Sequence, residues 1–155
     1  AAGARQRDRC LLALAPLQAR GMLPELDPRA PLWRSVAADH LVVCISDGFD
    51  DDLISHCERL ASARRDVVLL RLLSVGERDF PFQGDLHFRD PESGAERRVD
   101  AAAARTDFLR RFGEARRALS YRLDAAGIRH VEHVLDEPVD APLRRLFAAN
   151  AAAKP

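Results

Sequence analysis

Along the chain, short unbroken apolar runs alternate with stretches whose apolar residues recur every three or four positions. Residues 41–45 (Leu-Val-Val-Cys-Ile) are an unbroken run rich in β-branched residues, and 67–73 (Val-Val-Leu-Leu-Arg-Leu-Leu) read as a second buried strand. Such runs predict strands covered on both faces, as in parallel sheets. Between them Leu53, Ile54, Cys57, Leu60 and Ala61 have helical spacing to about residue 64, after Asp50 or Asp51 as cap. Strand, helix and strand with short connections predict a βαβ unit. Residues 128–135 alternate more and are more polar, which predicts a third strand nearer an edge.

The remaining segments predict helices and one hairpin. Residues 5–20 read as a helix with Cys10, Leu11, Leu12, Leu14 and Leu17 on its apolar side. Pro16 kinks or shortens it and Gly21 stops it. A short helix over 31–38 would turn Leu32, Trp33 and Val36 inward. Asp100 can cap a long helix to about residue 126, with Phe108, Phe112, Ala115, Leu119, Leu123 and Ala126 on one face. A last helix over 142–149 would bury Leu143, Leu146 and Phe147, and residues 151–155 read as a disordered tail. Residues 77–99 have a different character, with Phe80-Pro81-Phe82, Gly84, Pro91 and Gly94. There 86–89 and 96–99 can pair as a hairpin insertion in which Phe80, Phe82 and Phe88 need a place to bury.

Composition narrows the class of function. The 155 residues suit one domain, are 47% hydrophobic and 31% charged, and so belong to a folded chain. The 24 basic and 24 acidic residues balance, which gives no global field toward nucleic acid or an anionic membrane. Lys154 is the only lysine, and the arginine pairs are scattered among acids as solvated faces. Cys10, Cys44 and Cys57 form no C-x-x-C pair and read as reduced, buried thiols of a cytoplasmic protein. No apolar run is long enough to cross a membrane.

The densest candidate chemistry follows the first strand. Ser46, Asp47, Gly48, Phe49, Asp50, Asp51 and Asp52 stand at the strand's carboxyl end, the edge where open α/β sheets bind ligands. Ser46, Asp47 and Asp50 are oxygen donors suited to a hard cation such as Mg²⁺. Asp50, Asp51 and Asp52 equally suit a helix N-terminus, where carboxylates cap backbone N–H groups. His130 and His133 would point to opposite faces of a strand and read as exposed edge residues; His56 and Cys57 diverge on a helix. No nucleophile elbow, dinucleotide fingerprint or P-loop is present.

The segments 41–47, Asp51-Asp52, Phe80-Pro81-Phe82-Gln83-Gly84, Phe88-Arg89-Asp90-Pro91-Glu92-Ser93-Gly94, Val99-Asp100 and Asp136-Glu137-Pro138 occur in a familiar order. In that order the chain resembles the C-terminal half of the bacterial domain-of-unknown-function-fifty-eight family. The resemblance implies an α/β fold: a Rossmann-like, von Willebrand factor A-like parallel sheet with flanking helices. Residues 1–150 would be one N-terminally truncated domain of this kind, with 77–99 inserted. In related domains a metal site combines a D-x-S-x-S motif, a Thr and a later Asp; only the last carries over, to Asp47. The expected function is a non-enzymatic protein-interaction module, similar to accessory proteins of MoxR-type AAA+ ATPases. Docking would use Gly48, Phe49, Asp51 and Asp52. Its divalent-metal site would be degenerate or incomplete, with Mg²⁺ bound only if the missing motif is supplied. The resemblance also allows a membrane-tethered parent protein. A metal-assisted hydrolase or phosphotransferase using Asp47 and Asp50 is the alternative. The truncation predicts an unpaired apolar edge on strand 41–45, to be covered by the parent protein or by another chain.

Overall fold

The computed structural model describes residues 2–18, 36–37, 40–90 and 93–151. In chain order its elements are α1 (Ala2–Leu14), β1 (Leu41–Ser46), α2 (Asp51–Ser62), β2 (Asp66–Leu73), α3 (Val75–Asp79), β3 (Asp85–Arg89), β4 (Glu96–Asp100), α4 (Ala101–Ala125), β5 (Arg129–Val134) and α5 (Ala141–Ala151). The fold is mixed α/β. Three parallel strands form the main sheet in the order β1-β2-β5, and β3 and β4 pair separately as an antiparallel hairpin.

The apolar run in β2 places it in the middle. Val67, Val68, Leu69 and Leu73 are all buried, so both faces of this strand are covered. On one face Val67 and Leu69 pack with Ile54, Cys57 and Leu60 of α2, Leu123 of α4 and Ile128. Val42, Cys44 and Leu119 border the same cluster. On the other face α5 lies against β5 and buries Leu146.

Beyond β2 the cover is uneven. Leu41, Val43 and Ile45 alternate with Val42 and Cys44 and remain 45–61% exposed. The expectation of a first strand covered on both faces is therefore corrected. Only the α2 side of β1 is packed, because no described helix reaches the opposite side. The outer edge of β1 has no strand beside it among the described residues.

Local chemistry sets the helix ends. Asp50 caps α2, its Oδ1 accepting from the Leu53 N–H at 2.9 Å. Asp100 caps α4 through the N–H groups of Ala102 and Ala103. The short helix α3, absent from the sequence reading, starts in a capping box in which Ser74 and Glu77 bond each other's backbone N–H. At the amino end α1 stops at Leu14, not at residue 20. Pro16 has no N–H to donate and disfavours helix at the residue before it. Leu11, Leu12, Leu14 and Leu17, on the apolar side of this helix, are more than half exposed. Leu143 is likewise exposed at 46%, not inward. Most of the helix expected over 31–38 lies outside the described residues, as do 152–155.

Burial on α4 is sharply one-sided: Leu123 is fully buried, and Tyr121 two residues earlier is 79% exposed. Leu123→Ala should lower unfolding free energy by about 2–5 kcal/mol, whereas Tyr121→Ala should stay within roughly 0.5 kcal/mol. Urea denaturation of both variants checks the contrast.

Candidate functional site

The turn from β1 into α2 is built by its own side chains. Gly48 has φ +84° and is buried; a Cβ there would lie 2.8 Å from Leu119 Cδ2 and 3.3 Å from Arg71 Nε, so only glycine fits. The Gly48 N–H donates to Ser46 Oγ at 3.1 Å, and the Phe49 N–H donates to Asp47 Oδ1 at 3.1 Å. Ser46 Oγ donates to the same Asp47 oxygen at 3.3 Å. Asp50 is the helix cap, and Asp51 Oδ1 accepts from Arg122 Nη1 at 2.8 Å. Asp52 sits exposed in the first helical turn. The acidic residues are neighbours in sequence, but their oxygens serve separate tasks: one in the turn, one in the cap and one in an ion pair. Among the described residues no three His, Cys, Asp or Glu side chains come together as a set able to hold a metal ion.

Beneath the turn lies a polar row. The strand register pairs Ser46 with Arg71 and Arg71 with Glu132, so the three share one face at the carboxyl end of the sheet. The Arg71 side chain is fully buried, and its Nη1 is 3.8 Å from Glu132 Oε1. None of its three guanidinium nitrogens has a hydrogen-bond partner among the described residues. Arg116 of α4 holds Glu132 more tightly, at 2.7 Å, and lies over the Phe112 ring at 5.7 Å. Burial pulls the Arg71 pKa below its ordinary value; Glu132 raises it, Arg116 lowers it and Asp47 raises it. A buried cation next to Asp47 opposes a second cation on that carboxylate. The donors at Ser46, Asp47 and Asp50 therefore do not fit a Mg²⁺ site by themselves.

Phe49, exposed at 48%, ends a chain of aromatic contacts. Its ring centroid is 5.7 Å from Phe112, which stacks at 5.4 Å on Phe108. Phe108 is 4.8 Å from Phe80, and Phe80 meets Phe82 and Phe88 at 5.2 and 6.2 Å. Of the phenylalanines of segment 80–88 only Phe80 is buried here; Phe88 is half-buried and Phe82 stays exposed, so the expected burial of all three is corrected. The row of rings links the hairpin to the β1–α2 turn. Phe80 caps α3 at φ +44°, and Arg105 grips the carbonyls of Asp79 and Phe80.

The histidines and cysteines sort differently from expectation. His130 and His133 do alternate across β5, but neither is an exposed edge residue. His133 is 6% exposed and lies 3.9 Å from Glu137, and His130 contacts Asp124 at 3.1 Å. Helices α4 and α5 both pack on β5, where His133 is buried and His130 half-buried. Cys10 is exposed, not buried; Cys44 is partly buried and Cys57 fully so, with their sulfurs 3.3 Å apart.

A family model described as "Protein of unknown function DUF58" matches residues 13–118, more than half of the chain. The chain belongs to this family. Among curated proteins and among solved structures, none matches it. The match spans β1, the polar turn, β2, the hairpin and most of α4.

Sequence reading missed Arg71, Arg116 and Glu132. The available signal was a single charge inside an otherwise apolar run, Leu70-Arg71-Leu72, which calls for a partner on a neighbouring strand. Glu132→Gln should destabilise the protein by about 1–3 kcal/mol, because Arg71 then keeps its charge without a counter-charge. Arg71→Met in the same chain should restore most of that loss, a coupling that a double-mutant cycle in urea reads directly.

Arg122 gives a second prediction. Its guanidinium bonds Glu58, Ser55 and Asp51, and that hydrogen bond, followed by its charge, holds the Glu58 carboxyl below the usual range against desolvation. A depressed carboxyl pKa stabilises the fold above the unfolded value of about 4.3, and this is lost as pH falls through the folded value. Arg122→Met should flatten the decline in stability between about pH 5 and pH 2, measured by urea midpoints.

Proposed function

We propose that the chain is a non-enzymatic protein-interaction module: a von Willebrand factor A-like, Rossmann-like domain with residues 77–99 as a hairpin insertion. The observation that carries this reading is the open side of β1. Leu41, Val43 and Ile45 form an apolar, half-exposed row on an edge strand whose outer backbone groups face no other strand among the described residues. Such an edge is a template for a further strand. The docking surface continues over the carboxyl end of β1 onto Gly48, Phe49, Asp51 and Asp52. There Phe49 offers an exposed ring and the aspartates offer charge.

The partner that family resemblance favours is a MoxR-type AAA+ ATPase on the cytoplasmic side. The metal site at Ser46, Asp47 and Asp50 is degenerate in this reading, because Asp47 and Asp50 already accept from backbone N–H groups. Mg²⁺ would need oxygen donors from outside these residues. The same engagement weakens the reading as a metal-assisted hydrolase or phosphotransferase.

Immobilised intact chain should retain a purified MoxR-type ATPase. Ile45→Glu combined with Phe49→Ala should cut that retention roughly tenfold, as loss of a central apolar anchor does. Failure to retain the ATPase in either its nucleotide-free or its ATP-bound state overturns the partner assignment. Magnesium titration by calorimetry should give no saturable heat. A stoichiometric isotherm that Asp47→Ala abolishes would favour the hydrolase instead.

A further inference from the structure

Cys44 and Cys57 meet across the β1–α2 interface. They are thirteen residues apart in sequence, and the Cys57 thiol donates to the Cys44 sulfur at 3.3 Å. Cys44 stands on the edge strand and keeps some exposure, whereas Cys57 is 0% exposed in the core of α2. Cys10 is exposed on α1. The three cysteines therefore occupy three situations: one open to solvent, one at the margin of the core and one sealed beneath it. We propose that Cys44 and Cys57 form a modification site, a dithiol that hydroperoxides oxidise to an intramolecular disulfide clamping β1 to α2.

Geometry assigns the order of events. Cys44 is the sulfur that a small oxidant reaches, and Cys57 is the sulfur waiting behind it. The hydrogen bond from Cys57 lowers the Cys44 pKa and raises that of Cys57, while burial raises both. The Cys44 sulfur is therefore the one favoured to carry the thiolate, the nucleophilic form. Cys44 thiolate attacks an oxygen of hydrogen peroxide; the O–O bond breaks, hydroxide leaves and takes up a proton as water, and Cys44 becomes a sulfenic acid. Cys57 Sγ then attacks the Cys44 sulfur. The S–S bond forms, the S–O bond breaks, and the departing hydroxide leaves as water with the Cys57 proton. Two thiols and one peroxide thus give one disulfide and two waters. The buried resolving sulfur stands at contact distance, so it competes with further peroxide for the sulfenic acid.

The cross-link would close a short loop holding the Ser46–Asp50 turn between its two anchors. Those residues shape the carboxyl end of the sheet, so oxidation would stiffen this turn in particular.

The test uses the intact chain under native conditions. After stoichiometric hydrogen peroxide, denaturation and alkylation, one thiol should take the label and peptide mapping should place it at Cys10. The Cys44 and Cys57 peptides should be joined, and dithiothreitol should return all three cysteines to alkylation. Hydrogen exchange of the turn amides should slow roughly tenfold in the oxidised form. Cys57→Ala should leave a dimedone-reactive sulfenic acid on Cys44 and no intramolecular link; the unsubstituted chain decides the matter if that variant does not fold. Alkylation of both Cys44 and Cys57 after peroxide, separate sulfinic acids, a principal disulfide through Cys10, or a link that forms only in denaturant would each overturn the proposal. Unchanged exchange in the turn would overturn the clamp.

Discussion

The closure of β2 on both edges and both faces is the constraint on which the other elements depend. Its backbone bonds to β1 on one side and β5 on the other, and its side chains fill the space under α2 and α4 and on the opposite side of the sheet. A strand held this way has no water to satisfy its polar groups, so any charge it carries has to be matched from neighbouring strands. Arg71 is that charge. It sits in register between Ser46 and Glu132, and its presence makes the carboxyl end of the sheet a polar layer instead of a continuation of the core.

This layer explains the form of the β1–α2 turn. Gly48 has to lack a side chain because Arg71 lies below it and Leu119 beside it. With the backbone pressed down there, Ser46 and Asp47 fold over onto the next N–H groups and Asp50 is left to cap α2. An acidic cluster that looks like a cation trap in one dimension becomes a set of capping groups over a buried cation. The same turn presents Phe49 to the aromatic chain that runs through Phe112, Phe108 and Phe80 to the hairpin. The hairpin and the turn therefore share one connection of ring contacts.

Much of this was readable from single stretches of sequence. The apolar runs placed β1 and β2, the three-and-four spacing placed α2 and α4, and Asp50 or Asp51, and Asp100, marked their starts. These features depend on neighbours along the chain, and local propensity and capping act at that range. The hairpin was also local: two short strands across a turn. The errors share one physical origin. Cover on β1, exposure of Leu143 on α5 and burial of His133 all depend on which element lies opposite, and apolar spacing says only that a face could be buried. Helix α3 differs, because its Ser74-x-x-Glu77 box is itself a local sequence signal.

The sequence by itself determined the class of fold, the family, and the strand end where acidic residues gather, because each is written in contiguous residues or fixed spacings. Only the tertiary structure decided what those residues do. It set Arg71 beneath Asp47, joined Glu132 to two arginines, brought Cys44 to Cys57 and left one side of β1 open among the described residues. Each of these is a contact or a gap between segments far apart in the chain, fixed by strand register and by which faces the helices cover, and no pattern within a single segment encodes it.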